Sequence, residues 1–181
     1  MLYQYIETQR LRLRKLTPEV TKHIFTTMED KALMDFLGLA DFETLEKEKE
    51  KFRNGLQMFN KSFMNFQLLD KESDKVIGGC GFHTWFPLHR RAELGYGLFY
   101  DSYKQKGLMT EALKAVLDYG FTEMNLHRVE ALTATYNTAS ISTLKKFGFM
   151  FEGTLRQHYN VDGVMEDSVM YALLKHEFKK A

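Results

Sequence analysis

With Cys80 as its single cysteine, the chain cannot form an internal disulfide, which fits a reducing compartment. Only two prolines punctuate the 181 residues and no low-complexity tract appears. With 44% hydrophobic and 27% charged residues, the composition is that of a folded globular chain rather than a disordered one. No run reaches the roughly 18 apolar residues that would cross a bilayer, and the start, MLYQYIETQR, has no apolar signal-peptide core. Cytoplasm is the expected location, with no membrane partner. Charge of one sign is lacking too: 25 basic side chains nearly cancel 24 acidic ones, so no nucleic-acid partner is expected. The six histidines are scattered, and with one cysteine they offer no zinc spacing, so no metal is expected. Length fits one domain spanning residues 1–181.

What is present is a clear alternation of patterns. Thr8 to Leu16 reads as a half-buried strand, with Leu11 and Leu13 on one side and Arg10, Arg12 and Arg14 on the other. Thr17 and Pro18 start a helix as cap and first-turn proline, continued by Ile24, Phe25 and Met28. A second helix is expected over Thr44 to Phe59, charged around much of its circumference and making apolar contacts through Leu45, Phe52 and Leu56. Strands follow at Phe66 to Leu69, Val76 to Trp85 and Ala92 to Phe99, joined by a polar turn at Asp70 to Asp74 and a hairpin tip around Leu88 to Arg91. The IGGCGF stretch implies a bend or a face where a ligand approaches closely.

Gly107 to Met124 is a strong amphipathic helix whose stripe of Leu108, Ala112, Leu113, Val116, Leu117 and Phe121 must face a sheet. Arg128 to Thr135 reads as a strand, Ser140 to Phe147 as a short helix, and Phe149 to Leu174 as two strands turning at Asp162 and Gly163. The order predicts an α+β domain: a mixed, mostly antiparallel sheet of about six or seven strands with about four helices on its faces.

Between strand and long helix lies a short polar loop of Lys104, Gln105, Lys106 and Gly107. Unpaired amides and the positive end of the helix dipole point out of such a loop and favour an anion, by about 0.3–1 kcal/mol for the dipole. A diphosphate fits there. Several ordered strings then extend the pattern: TQRLRLRKL, ELGYGL, KGLMTEALKAVLDYGF, LHRVEALTATYNTAS with LKKFGF, and EGTLRQHYNVDGVMEDSVMYALL. Through these the chain resembles the GNAT superfamily of N-acetyltransferases, and within it the branch that acetylates ribosomal-protein N-termini.

The resemblance implies the GNAT fold with a splayed sheet and acetyl-coenzyme A as co-substrate. It implies that the strand end at Leu98 and Phe99 hydrogen bonds pantetheine, and that Lys104, Gln105, Lys106, Gly107, Leu108, Met109 and Thr110 cradle the pyrophosphate. The family loop reads Gln or Arg, two free positions, Gly, one free position, then Gly or Ala. Here Lys104 takes the first place and Met109 the last, and Gln105 stands where glycine is usual. Asn137 is carried over as a cofactor-orienting side chain, with a turn residue as the alternative. Ser140 stands where this branch places a hydroxyl near the coenzyme A sulfur, which gives it a general-acid role; a helix cap is its structural alternative.

The base is open on sequence. Glu93 lies on the strand that supplies a carboxylate in many members, but could pair with Arg91 or a neighbouring strand instead. His83 and His158 are further candidates, and Tyr159 stands where the branch has a glutamate. Cys80 has no evident His–Asp partnership and reads as a buried structural thiol. The Met and Phe residues before Asn65 are expected to form core and the walls of an acceptor cleft. An α-amine with pKa near 7.8 is roughly 14% neutral at pH 7 and a lysine only about 0.04%, a gap of about 3.5 kcal/mol. Weak base equipment therefore favours a protein N-terminus as acceptor. The alternatives are a small-molecule amine (antibiotic, polyamine or amino acid) and a catalytically silent acyl-coenzyme A binder. A homodimer is left open.

Overall fold

The computed structural model describes residues 3–53 and 62–179. In chain order the elements are β1 (Tyr5–Glu7), β2 (Leu11–Leu16), α1 (Pro18–Thr27), α2 (Asp30–Leu37), α3 (Phe42–Arg53), β3 (Ser62–Asp70), β4 (Val76–Phe86), β5 (Arg91–Leu98), α4 (Leu108–Thr122), β6 (Arg128–Ala134), α5 (Thr138–Lys146), β7 (Met150–Val161) and β8 (Val164–Leu174). The described residues thus hold eight strands and five α-helices, one more of each than the patterns predict. The strands form one sheet in the order β1-β2-β3-β4-β5-β6-β8-β7. Every pairing is antiparallel except β5 with β6.

Local chemistry accounts for most of the boundaries. Thr17 Oγ1 accepts the Val20 amide at 3.2 Å and Pro18 opens α1, as the cap pattern predicts. The expected stripe of α4 is buried throughout, from Leu108 to Phe121, against the sheet. Asp162 and Gly163 both turn through positive φ, which matches the tight hairpin between β7 and β8.

Two expectations are corrected, and a third lies partly outside the described residues. The extra helix α2 follows from Leu33, Phe36 and Leu37 on one side and ends at Gly38 in the left-handed conformation. It covers the outer face of β2, so Arg14 is only 9% exposed, with its guanidinium 4.0 Å from the Phe36 ring centroid. The second predicted helix appears as α3; Leu56 and Phe59 at its expected end lie outside the described residues. The glycines of IGGCGF admit neighbouring strands: a Cβ at Gly78 would meet the Gly97 carbonyl at 2.3 Å, and one at Gly81 the Met64 carbonyl at 2.4 Å.

Helix α4 lies so close to β4 that a Cβ on Gly120 would meet the Phe82 ring at 2.5 Å, and Phe82 is fully buried. Gly120→Val is expected to cost about 1–3 kcal/mol through overpacking, outweighing any gain in helix propensity. A thermal melt lower by roughly 2–4 °C per kcal/mol checks this.

Candidate active site

Strand β5 begins as an ordinary sheet member and ends alone on one side. It pairs with β6 only over Arg91–Arg128, Ala92–Val129 and Glu93–Glu130. Beyond that point β6 stays with β8 and β5 with β4, and a wedge opens between them. The direction of the free groups follows from strand alternation. The Phe99 N–H reaches the Ile77 carbonyl on β4, and the Arg90 carbonyl accepts from His127 and Arg128 on the β6 side. Leu94, Tyr96 and Leu98 therefore turn their main-chain groups into the wedge. Phe99, expected beside Leu98 in the same role, turns its amide the other way.

At the mouth of the wedge the chain makes a short 3-10 turn, Asp101–Tyr103, then runs through the expected loop into α4. Gly107 is the N-cap, with φ of 74° and no side-chain cap bond, so the amides of Leu108, Met109 and Thr110 open the helix without one. They are the amides an anion would take. Gln105 also has positive φ, 59°, a conformation that favours glycine. Lys104 is less mobile than a free lysine: its Nζ lies 2.6 Å from Asp101, and this bond holds the Asp101 carboxyl below its usual range. Lys106 stands exposed with its Nζ 5.9 Å from the Tyr103 ring.

A clasp that sequence reading missed holds this loop. Arg10 donates from Nε to Glu111 Oε2 at 2.9 Å and from Nη1 to the Lys106 carbonyl at 3.0 Å. The Arg10 amide and the Thr8 hydroxyl both donate to Glu111 Oε1, at 2.8 and 2.5 Å. Burial works to raise the Glu111 carboxyl, but these donors outweigh it and the net shift is downward. The turn between β1 and β2 is thereby tied to the first turn of α4.

Ser140 and Glu93 stand on opposite faces of the wedge. Asn137, not Ser140, is the N-cap of α5: its Oδ1 accepts the Ser140 amide at 3.1 Å. The Ser140 hydroxyl is thus free of capping duty, and its Oγ lies 2.9 Å from the Tyr96 hydroxyl. Burial is the main cause that pushes the Tyr96 phenol above its ordinary value, so it keeps its proton at neutral pH. Tyr96 belongs to the quoted ELGYGL string, yet its partner lies 44 positions away and leaves no local signal.

Glu93, one strand position out of phase with Ala92 and Leu94, faces the side that carries α1 to α3. Its side chain is 17% exposed and its Oε1 lies 3.6 Å from His83 Nε2. Of the two alternative partners, Arg91 donates to Glu130 at 2.8 Å instead, whereas the neighbouring strand β4 supplies His83. The phenol of Tyr159 is raised by burial and then by the charge of Glu93, which places both in one electrostatic neighbourhood. His158 lies with its Nδ1 3.3 Å from Ser168 Oγ on β8 and its ring 4.6 Å from that of Tyr159. Cys80 is fully buried, and desolvation pushes its thiol far up, out of nucleophilic range.

Beside His83 a cavity of about 470 Å³ opens between the helical layer and β3 and β4. Ile24, Phe25, Leu37, Phe52 and Phe63 contribute most of its wall, and Phe25 stacks on Phe52 with ring centroids 4.7 Å apart. Phe25, Phe52 and Phe63 are among the Met and Phe residues before Asn65 expected to form core and cleft walls.

A splayed parallel pair, an uncapped glycine-led helix at its mouth and paired hydroxyls inside it agree with a family match: the description "Acetyltransferase (GNAT) domain" covers residues 10–150. The chain belongs to this family. As a GNAT acetyltransferase it is an acyltransferase enzyme that acts on an amine acceptor. It is 34% identical over 176 residues to the uncharacterized N-acetyltransferase p20 of Bacillus licheniformis, covering 94% of this chain and 96% of that one. The putative ribosomal N-acetyltransferase YdaF of Bacillus subtilis is 33% identical over 104 residues, 58% of this chain and 56% of its own. The spermidine N(1)-acetyltransferase of Escherichia coli is 32% identical over 91 residues, 50% of this chain and 48% of its own. Among the described residues no helix is long and apolar enough to cross a membrane.

Proposed function

We infer that the protein transfers an acetyl group directly from acetyl-coenzyme A to the α-amine of a peptide or protein N-terminus. The observation that carries this reading is the wedge beyond Glu93, with main-chain groups on its edge, a carboxylate on one face and a hydroxyl pair on the other. Unpaired strand groups seek amide partners, and pantetheine bears two amides at strand-like spacing; the co-substrate fits. The amides of Leu108, Met109 and Thr110 face the pyrophosphate, with Lys106 adding charge and Lys104 and Gln105 shaping the approach to Gly107. Bound there, the thioester supplies the acetyl group.

The remaining work falls to this chain. The neutral amine nitrogen bonds to the carbonyl carbon, the carbon–sulfur bond breaks, and one proton leaves the nitrogen while another reaches the sulfur. Glu93, with His83 beside it, receives the amine proton directly or through water. Ser140 gives a proton to the departing sulfur, and Tyr96 orients and replenishes that hydroxyl. A wedge-facing amide of β5 steadies charge on the carbonyl oxygen.

An acetyl-coenzyme A turnover screen against N-terminal peptides, lysine peptides, polyamines and aminoglycosides tests the acceptor class. Faster reaction with peptide α-amines supports the reading, and preference for a polyamine or aminoglycoside overturns it. The clasp gives a separate prediction. Arg10→Ala removes the bond to the Lys106 carbonyl and the guanidinium partner of Glu111, which keeps only the Thr8 hydroxyl and the main-chain amide of residue 10, so the KM for acetyl-coenzyme A is expected to rise about tenfold, the effect of about 1.4 kcal/mol. Arg10→Lys restores only part of this, because a single ammonium cannot make the forked contact.

A further inference from the structure

The geometry points to an acceptor whose first residue carries a large apolar side chain, methionine, leucine or phenylalanine, seated in the cavity beside His83. This rests on the peptide-amine reading above and specifies it. His83 is the link: it lines the cavity and its Nε2 stands 3.6 Å from Glu93. An amine delivered to Glu93 therefore has its own α-carbon at the entrance to the cavity, and its side chain points in. The apolar part of the wall is Leu16, Ile24, Phe25, Leu37, Phe52 and Phe63, beside the polar Thr21, Ser62, Asn65 and Thr84, and the volume is about 470 Å³, within the usual range for a small-molecule pocket. A glycine or alanine terminus leaves that wall uncovered.

Charge argues for the same occupant. The ionisable side chains in the lining besides His83 are Glu48 and Lys51, which form an ion pair with each other. A peptide suits such a pair, because its main chain offers N–H groups to the carboxylate and carbonyls to the ammonium. A polycation does not, since Lys51 repels it and no surplus of carboxylates among the lining residues receives its further charges.

The test is a peptide series that differs only in its first residue, Gly, Ala, Val, Leu, Met or Phe, assayed with spermidine and a lysine peptide alongside. Burying one large apolar side chain corresponds to about 10–150-fold in kcat/KM, the expected advantage of Met, Leu and Phe over Gly. Thr21→Phe fills the cavity from α1, and in a variant whose thermal melt is unchanged the Met-to-Gly ratio is expected to collapse to about threefold or less. Equal rates across the peptide series overturn the apolar-residue inference and leave the N-terminal reading standing. Spermidine or lysine turnover faster than every peptide terminus overturns both.

Discussion

Ser140→Ala is expected to lower kcat by about 10²-fold while the KM for acetyl-coenzyme A stays nearly constant, because the lost group gives its proton only as the sulfur departs. Tyr96→Phe is expected to cost less, about tenfold, since Ser140 remains to donate, directly or through water. The two hydroxyls are 2.9 Å apart; in the relay proposed above, the double variant should be little worse than Ser140→Ala alone. Additive losses would mean that the hydroxyls work independently. The pH profile supplies a second readout. Burial holds the Tyr96 phenol above its ordinary value of about 10, so the donor stays protonated while the acceptor α-amine, with pKa near 7.8, becomes neutral. The wild-type rate should rise towards pH 8 and hold a plateau through about pH 9.5.

Glu93→Gln is the second large effect, and its size should depend on pH. Near pH 6.5 only about 5% of an α-amine is neutral, and removal of the carboxylate is expected to reduce kcat/KM by about 10²-fold. At pH 9 the amine is already neutral, and the deficit should shrink to within about tenfold. His83→Gln should show the same trend at smaller amplitude if the imidazole passes the proton on. A deficit for Glu93→Gln that is constant with pH would assign the carboxylate to holding the acceptor rather than to proton transfer. Unchanged rates would remove it from the chemistry.

How much of this could be read beforehand depended on the range of the interaction concerned. The stripe of α4, the Thr17 cap and the Asp162–Gly163 turn are set by neighbours within a few positions, and each appears where the residues placed it. The loop before Gly107 was legible for the same reason, and the left-handed conformations at Gln105 and Gly107 explain why its residue choices matter. Helix α2 was missed although Leu33, Phe36, Leu37 and Gly38 carried a short signal, and with it went the burial of Arg14. Assigning the cap of α5 to Ser140 erred by one turn, since Asn137 does that work and releases the serine. The Arg10–Glu111 clasp and the Tyr96–Ser140 pair join residues 101 and 44 positions apart, which no periodicity reports. The choice between Arg91 and a neighbouring strand as partner of Glu93 likewise waited on register, which sends Arg91 to Glu130 and sets His83 of β4 beside Glu93.

The three-residue ladder between β5 and β6 has a mechanical consequence. It is the short seam between two larger leaves, β1 to β5 on one side and β6 to β8 on the other, so the leaves are laced together only near Glu93 and Glu130. An amide-bearing chain lying in the opening continues the seam as a surrogate strand. Occupancy then stiffens both leaves at once, and the resistance of the whole domain to heat grows with the logarithm of co-substrate concentration.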